Sequence, residues 1–246
     1  MRGPVLVLGA TSAIARGTAL ALARRGHPLY LGGRDESELA RIAADLNIRY
    51  QVEVGYGAVD ATDYAVHRPF LERVVETMGG LEGVVLALGY LGDPVTARTR
   101  FEEAEKIITV NFTGAVSLLG ECANYLEGKG AGFIIGLSSV AGDRGRQSNY
   151  HYGAAKGGLS IFLQGLRNRL FPAGVRVLTV KPGFVDTAMT FGSPGLFWVA
   201  SPVKVGEQIV AALEHHRDVV YVPWFWRYMM FIIRIIPEPL FKRLKL

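Results

Sequence analysis

The chain has 246 residues, with 27 lysines and arginines against 22 acidic residues and a single cysteine, Cys122. Half of the residues are apolar and a fifth are charged, which excludes a disordered chain and is ample for a sizeable buried core. One cysteine excludes a disulfide framework and a cysteine-based zinc cluster, and it fits a reducing compartment. Residues 1–10 lack the pattern of a secretory signal, so we expect a cytoplasmic protein.

The net charge of +5 is concentrated at the C-terminus. Residues 1–218 carry 22 basic and 21 acidic side chains, whereas residues 219–246 carry five basic side chains against Glu238 alone. A nucleic-acid-binding protein would need positive charge spread over a folded face. The charge distribution therefore argues against a nucleic-acid partner. No spacing of His, Cys, Asp and Glu indicates a metal site.

Short apolar runs that predict strands alternate with longer stretches that predict helices. The predicted strands are Val5–Leu8, Pro28–Leu31, Tyr50–Val54, Val84–Leu88, Phe133–Leu137, Arg176–Val180 and Val219–Val222. The predicted helices are Ala13–Arg25, Glu36–Leu46, Tyr64–Met78, Phe101–Leu126, Tyr150–Leu170 and Lys204–His216. This alternation predicts an α/β fold, a doubly wound (Rossmann) parallel sheet covered on both faces by helices. We expect a single domain over residues 1–223 with a C-terminal tail over residues 224–246, and a ligand beyond the carboxyl ends of the strands.

The turn after the first strand has the position and length of a dinucleotide-binding loop. It reads Leu8-Gly9-Ala10-Thr11-Ser12-Ala13-Ile14-Ala15 and runs directly into a helix. Alanines stand at two of the three positions where a G-x-x-x-G-x-G pattern has glycine. The methyl group of Ala13 is tolerable only if the backbone there keeps a negative φ. Taken alone, the loop leaves an ordinary β–α turn open.

Tyr152 and Lys156 are four residues apart and share one face of a predicted helix. A lysine ammonium beside the phenol would favour the phenolate, which makes Tyr152 a candidate general acid/base. This spacing also arises by chance on solvated helices. Ser139 precedes Tyr152 by 13 residues and follows a strand, where its hydroxyl can bind the same substrate oxygen. The rival pattern of a serine-hydrolase elbow, G-x-S-x-G, fails at Val140.

Taken together, these motifs resemble the short-chain dehydrogenase/reductase family over residues 4–215. The resemblance implies that Ser139, Tyr152 and Lys156 are the catalytic residues, with Asn111 supporting the lysine through a water. It also implies that the dinucleotide is bound by Tyr152 and Lys156 together with Gly9, Thr11, Ser12, Ala13, Ile14, Arg34, Asp60, Ala61, Gly89, Pro182, Val185 and Thr187. Where the family usually has N-N-A-G after its fourth strand, this chain has Leu86-Ala87-Leu88-Gly89, so only Gly89 carries over.

The end of the second predicted strand bears on the choice of cofactor. Gly33 offers no carboxylate to a ribose 2′-hydroxyl, and Arg34 can pair with a 2′-phosphate. We therefore expect NADP(H) to be favoured. NAD(H) stays open, because Arg34 could instead stack on the adenine and Asp35 could contact the ribose.

The segment Thr187–Val203 has no charged residue and contains Phe191, Leu196, Phe197, Trp198 and Val199. In the family this segment covers the substrate, so its composition favours a hydrophobic substrate. The tail Tyr221–Leu246 resembles the end of the decaprenylphosphoryl-2-keto-ribose reductases, which act on a lipid-linked sugar ketone. The resemblance thus extends the expected substrates to lipid-linked ones.

Trp224–Ile236 predicts a helix of 13 residues, about 20 Å long, against a hydrocarbon core of about 30 Å. Arg227 and Arg234 fall on one stripe of that helix, and we expect Pro237 and Pro239 to end it. Aromatic residues with arginines and a following basic cluster suit a helix lying on a membrane surface. The alternative is that the tail packs against another subunit or the substrate lid.

From sequence, the predicted function is NAD(P)(H)-dependent reduction of a ketone, or the reverse oxidation of a secondary alcohol. Two alternatives of other classes stay open: a cofactor-binding scaffold or sensor without turnover, and a membrane-docked interaction protein. The family's habit implies a homodimer or homotetramer.

Overall fold

The computed structural model describes residues 2–188 and 198–244. In the described part, the strands are β1 (Val5–Leu8), β2 (Leu29–Gly33), β3 (Val54–Ala58), β4 (Gly83–Leu86), β5 (Gly132–Leu137), β6 (Val175–Pro182) and β7 (Val219–Val222). The α-helices there are α1 (Ala13–Arg24), α2 (Glu36–Tyr50), α3 (His67–Met78), α4 (Thr96–Thr99), α5 (Phe101–Ile108), α6 (Gly114–Lys129), α7 (Tyr150–Leu170), α8 (Pro202–Glu214), α9 (Trp226–Ile235) and α10 (Glu238–Phe241).

All seven strands are parallel and lie in the order β3-β2-β1-β4-β5-β6-β7. The chain reverses direction across the sheet between β1 and β4, which opens a crevice at the carboxyl ends of these strands. Two apolar clusters, one against each face of the sheet, form the core. Strands buried on both faces must be apolar throughout, as β1 and β4 are. The predicted doubly wound parallel fold is confirmed.

The third strand was predicted at Tyr50–Val54, and this prediction is wrong. Helix α2 includes Tyr50 and ends there, capped by Gln51, whose φ of 54° is left-handed. The strand is Val54–Ala58 instead. Its glycines have low strand propensity, so the sequence pattern does not indicate a strand here. Packing explains the glycine at position 55, because a Cβ there would lie 2.7 Å from a ring carbon of Tyr30.

The long helix predicted at Phe101–Leu126 is interrupted. A π-helical turn at Thr109–Thr113 separates α5 from α6, and Asn111 lies in its middle. Such π turns insert an extra residue into a helix and frequently mark functional positions. Here the turn brings the Asn111 side chain inward, where it is fully buried.

The tail folds back onto the domain. Trp226 and Met230 on the inner side of α9 are buried in a cluster with Val140. Helix α9 ends at Ile235, before the first proline, but Pro239 does not terminate a helix as expected. It lies in the first turn of α10, a position where proline lacks only an N–H that would have no partner anyway. No helix in the described part of the chain is long and apolar enough to cross a membrane.

Candidate active site

The loop between β1 and α1 has the geometry of a phosphate-binding turn. Gly9 has a φ of +73°, and a Cβ there would lie 2.7 Å from the Ala87 carbonyl oxygen. Ser12 caps α1, its hydroxyl accepting the Ala15 N–H at 3.3 Å. Ala13 begins the helix and is not among the described residues with positive φ, so its methyl group is accommodated. The first N–H groups of α1 have no helical acceptor and are available to an anion.

Two adjoining cavities lie along the carboxyl ends of the central strands. The smaller, of about 120 Å³, is lined by residues that include Gly9, Thr11, Ser12, Arg34, Asp60, Ala61 and Gly89. The larger, of about 940 Å³, is lined by residues that include Thr11, Ser12, Ala13, Ile14, Gly89, Ser139, Tyr152, Lys156, Pro182, Val185 and Thr187. The two cavities adjoin, because they share the wall residues Thr11, Ser12, Ala87, Leu88 and Gly89, and together we call them the cleft. The cleft contains the phosphate-binding turn, a feature that suits a dinucleotide.

Every residue predicted from sequence to bind the cofactor lines one of these cavities. Of the four predicted catalytic residues, three line a cavity and one does not. Ser139, Tyr152 and Lys156 line the larger cavity, and Asn111 is buried away from both, in the π turn. Asn111 therefore does not face the cleft directly.

Lys156 and Asn111 hold the same loop from two sides. The Lys156 ammonium donates to the carbonyl oxygens of Leu88 at 2.8 Å and Leu137 at 3.0 Å. The Asn111 amide donates to the Tyr90 carbonyl oxygen at 2.6 Å, and its own oxygen accepts the Tyr90 N–H at 3.2 Å. Both side chains thus bind the backbone of residues 88–90.

The protonation of Tyr152 differs from the sequence expectation. Burial raises the pKa of Tyr152 to about 12, and a hydrogen bond with the Ser139 hydroxyl only partly opposes it. Burial also lowers the pKa of Lys156 to about 7. The Lys156 ammonium lies 5.8 Å from the centre of the Tyr152 ring and directs its hydrogens to backbone carbonyls. Burial thus outweighs any lowering of the phenol pKa by Lys156 in the protein alone, and the role of Tyr152 as general acid/base stays a prediction.

Asp60 is held in the wall of the smaller cavity. Its carboxylate accepts the Thr62 N–H and the Thr62 hydroxyl, both at 2.8 Å. The backbone hydrogen bond from Thr62, followed by the hydroxyl bond and the nearby Arg34 guanidinium, holds the pKa of Asp60 below its ordinary value. His67 fixes the same turn, with Nε2 lying 3.0 Å from the Asp60 carbonyl oxygen. Asp60 is thus a fixed, ionised acceptor beside Arg34.

Arg34 and Asp35 have different surroundings at the end of β2. Asp35 caps α2, accepting the Glu38 N–H at 3.0 Å and the Ser37 hydroxyl at 2.7 Å. Arg34 is exposed at the rim of the smaller cavity, and no contact among the described residues holds its guanidinium in a salt bridge. Its cation is therefore available to a ligand phosphate, whereas the Asp35 carboxylate is engaged in capping.

Three polar residues that line the larger cavity were not predicted from the sequence: Tyr90, Asp93 and Glu103. The Glu103 carboxylate accepts the Tyr90 hydroxyl at 2.8 Å and the Asp93 N–H at 2.9 Å. All three residues line the same cavity as Tyr152. No sequence motif indicates these three residues, because they come together only when the loop after β4 folds onto α5.

The segment after β6 also packs against the tail. A Cβ on Gly183 would overlap the Trp226 indole Nε1, so the glycine is required for this packing. The segment continues to Val185, which pairs with Ala200. At the far side of the predicted lid, the Trp198 ring lies 5.2 Å from the Phe225 ring. The lid residues Phe191, Leu196 and Phe197 lie outside the described residues.

The loop between Ser139 and Tyr152 is held by the tail as well. Arg144 donates to the carbonyl oxygens at the end of α9, those of Ile233 at 2.8 Å and Ile236 at 2.6 Å. The buried Asp143 carboxylate forms an ion pair with Lys181 and accepts the Tyr221 hydroxyl at 2.8 Å. Burial and this hydrogen bond raise the pKa of Tyr221. The end of α9 and strand β7 therefore hold the loop that lies between Ser139 and Tyr152.

The model of the family described as short chain dehydrogenase matches residues 4–193. An uncharacterized oxidoreductase of Mycobacterium tuberculosis is 36% identical over 241 residues, covering 98% of this chain and 96% of that protein. The chain therefore belongs to the short-chain dehydrogenase family, and the predicted oxidoreductase class is confirmed.

Solved structures share the fold. An alcohol dehydrogenase from the archaeon Thermococcus sibiricus, complexed with 5-hydroxy-NADP, has a TM-score of 0.78 at 25% identity, covering 90% of this chain and 96% of that chain. A variant of actinorhodin polyketide ketoreductase with NADPH has a TM-score of 0.82 at 22% identity, covering 92% of this chain and 97% of that chain. A nicotinamide dinucleotide accompanies both neighbours.

Proposed function

We propose that the protein reduces a ketone on a hydrophobic or lipid-linked substrate with NADPH, and that Tyr152 delivers the proton. The observation that carries the proposal is that Ser139, Tyr152 and Lys156 line the same cavity as residues of the phosphate-binding turn. When bound, the nicotinamide ring supplies the hydride, and the protein supplies orientation and electrostatics.

The raised pKa of Tyr152 suits a proton donor. With a pKa raised to about 12, the phenol keeps its proton at neutral pH. A protonated phenol is the form that can donate to a ketone oxygen as negative charge develops there. Ser139 shares a hydrogen bond with Tyr152 and can donate to the same oxygen, so that the two hydroxyls position the carbonyl.

Lys156 and Asn111 act as the support of this proton donor. By holding the backbone of residues 88–90 they fix a part of the wall of the cavity that Tyr152 also lines. With a pKa near 7, Lys156 can carry or release a proton at neutral pH, which suits a relay behind the phenol.

For the cofactor we propose NADP(H). Arg34 is exposed beside the adenine end of the cleft, and Gly33 places no carboxylate there to repel a 2′-phosphate. The NADP-type ligands of two structural neighbours support this preference.

For the substrate we propose a largely apolar molecule with a polar group near the carbonyl. The larger cavity combines Leu91 and the Tyr90 ring with the carboxylates of Asp93 and Glu103, which can accept hydrogen bonds from substrate hydroxyls. The likeness of the tail to reductases that act on lipid-linked sugars supports the same class of substrate. We also propose that the protein works as a homo-oligomer in the cytoplasm, at or near a membrane surface.

The test is NADPH oxidation over a panel of ketones of increasing chain length, with and without hydroxyl groups next to the carbonyl. We expect kcat/KM to rise with chain length and to exceed that of NADH-driven reduction. A protein that binds NADPH but oxidises it with no ketone of the panel would contradict the proposal and favour a cofactor-binding scaffold.

A further inference from the structure

Helix α9 presents a continuous apolar stripe to solvent. Tyr228, Phe231, Ile232 and Ile235 follow the spacing of one helix face, and each has between 60% and 64% of its surface exposed. Trp224, just before the helix, is 69% exposed and its ring lies 5.9 Å from that of Tyr228. Large contiguous apolar patches on a protein surface mark interaction sites.

This exposure does not come from a loosely attached tail. The inner face of α9 is fixed by the buried Trp226 and Met230. The end of the helix is fixed by Arg144, which donates to three carbonyl oxygens there, and Arg144 also lies 3.8 Å from the Phe241 ring centre. The stripe cannot turn inward without breaking these contacts.

Positive charge lies along one edge of the stripe and in the segment that follows it. Arg227, Arg234, Lys242 and Arg243 are all exposed. The one acidic side chain of the described tail, Glu238, is paired with Arg144 at 2.9 Å and so cancels little of this charge. An apolar helix face rimmed by cations matches the chemistry of an anionic lipid surface.

We infer that the outer face of α9 docks on a bilayer surface that carries anionic headgroups. The positive charge beside this face favours an anionic bilayer over a second copy of the chain as its partner. In a two-fold contact the same patch would meet itself and bring the basic rims together, whereas anionic headgroups neutralise them. Trp and Tyr are also the aromatic residues that suit the membrane–water interface.

Docking of this face would place the substrate cavity beside the lipid. Trp226, on the opposite side of α9, contacts Gly183, which lines the larger cavity. The inference deepens the proposed membrane-surface location, but vesicle binding needs no turnover. Its failure is therefore distinguishable from a failure of the catalytic proposal.

The experiment is co-sedimentation of the full chain with vesicles of phosphatidylcholine alone and of phosphatidylcholine with phosphatidylglycerol, at low and high salt. The test variant is Tyr228→Ser/Phe231→Ser/Ile235→Ser. Its matched control is Ile161→Ser/Phe171→Ser, because these two apolar residues are 72% and 81% exposed elsewhere on the surface. A second variant, Arg227→Gln/Arg243→Gln, is compared with Lys204→Gln/Arg217→Gln, which also removes two exposed cations.

We expect the parent chain and both controls to bind the anionic vesicles, and high salt to weaken the binding. The apolar and the charge variants should each lose roughly tenfold or more in binding. The inference is overturned if the parent ignores anionic vesicles, or if the controls lose as much as the test variants. It is also overturned if the apolar variant changes only the oligomeric state in sedimentation velocity, since the face would then be a subunit contact.

Discussion

Trp226 occupies the space into which a side chain at position 183 would have to project. Gly183 lies in the segment that lines the larger cavity, and Trp226 lies in the tail, beyond the residues 4–193 that the family model matches. A part of the chain outside the shared family core thus shapes the wall of the cavity.

The first prediction concerns this contact. Gly183→Ala should lower the free energy of unfolding by about 1–3 kcal/mol, because the new methyl group overpacks against the indole. It should also raise KM for NADPH, since relief of the overlap displaces the cavity wall. Urea denaturation and steady-state kinetics measure the two effects.

The control for this prediction is Gly120→Ala, because a Cβ at Gly120 meets nothing within 4 Å. That helical substitution should be neutral or slightly stabilising. In a Trp226→Leu background, Gly183→Ala should lower the free energy of unfolding by clearly less than it does in the parent. Equal costs in both backgrounds would show that the indole is not what the methyl group meets.

The second prediction concerns the proton donor. Tyr152→Phe keeps the ring but removes the hydroxyl, so NADPH affinity should stay close to that of the parent while kcat falls by about 10²–10⁴-fold. Tyr150→Phe is the matched control, since Tyr150 lies one half-turn earlier on α7 and is 43% exposed. Turnover of the Tyr152 variant within tenfold of the parent would remove Tyr152 from the mechanism.

The order of strands and helices could be predicted because alternating apolar and amphipathic stretches report burial directly. Helix α7, which carries Tyr152 and Lys156, has the predicted bounds Tyr150–Leu170. Strand β3 could not be predicted correctly, because its glycines are selected by contact with Tyr30 and not by strand propensity.

The sequence predicted which residues form the site, but not their pKa values or their hydrogen-bond partners. Motif spacing identified the cavity-lining residues, but the pKa of Tyr152 depends on how deeply α7 is covered, and no local pattern encodes that. The partners Glu103 and Arg144 are likewise set by long-range contacts, with Tyr90 and with α9. Interactions between distant segments of the chain could therefore not be predicted from the sequence.

The third prediction follows from the pKa of Lys156, which burial lowers from 10.5 to about 7. Between those values the unfolded chain binds one more proton than the folded one, so the contribution of Lys156 to stability increases as pH rises from about 7 to about 10. Lys156→Met abolishes this titration. The free energy of unfolding of the parent minus that of the variant should therefore rise by a few kcal/mol across the window in cofactor-free protein.

Urea denaturation at pH values between about 7 and 9.5 measures this difference, and other titrating groups cancel because both proteins contain them. Tyr152 does not interfere, because its pKa of about 12 lies above the window. A difference that stays flat across the window would mean that Lys156 remains protonated in the folded protein.

The last prediction concerns the cofactor. Arg34→Ala should weaken NADPH binding by about 1–3 kcal/mol, the scale of a lost charge-assisted hydrogen bond, and leave NADH binding nearly unchanged. The reason is that Arg34 is an exposed cation beside the adenine end of the cleft, where a 2′-phosphate would be the main difference between the two ligands. Fluorescence titration of the bound nicotinamide gives both dissociation constants. Arg73→Ala is the matched control, since Arg73 lines an adjacent groove with Arg34 but stacks its guanidinium 5.6 Å from the Phe70 ring centre. Equal losses for NADPH and NADH in the Arg34 variant would mean that this arginine stacks on the adenine and does not select a phosphate.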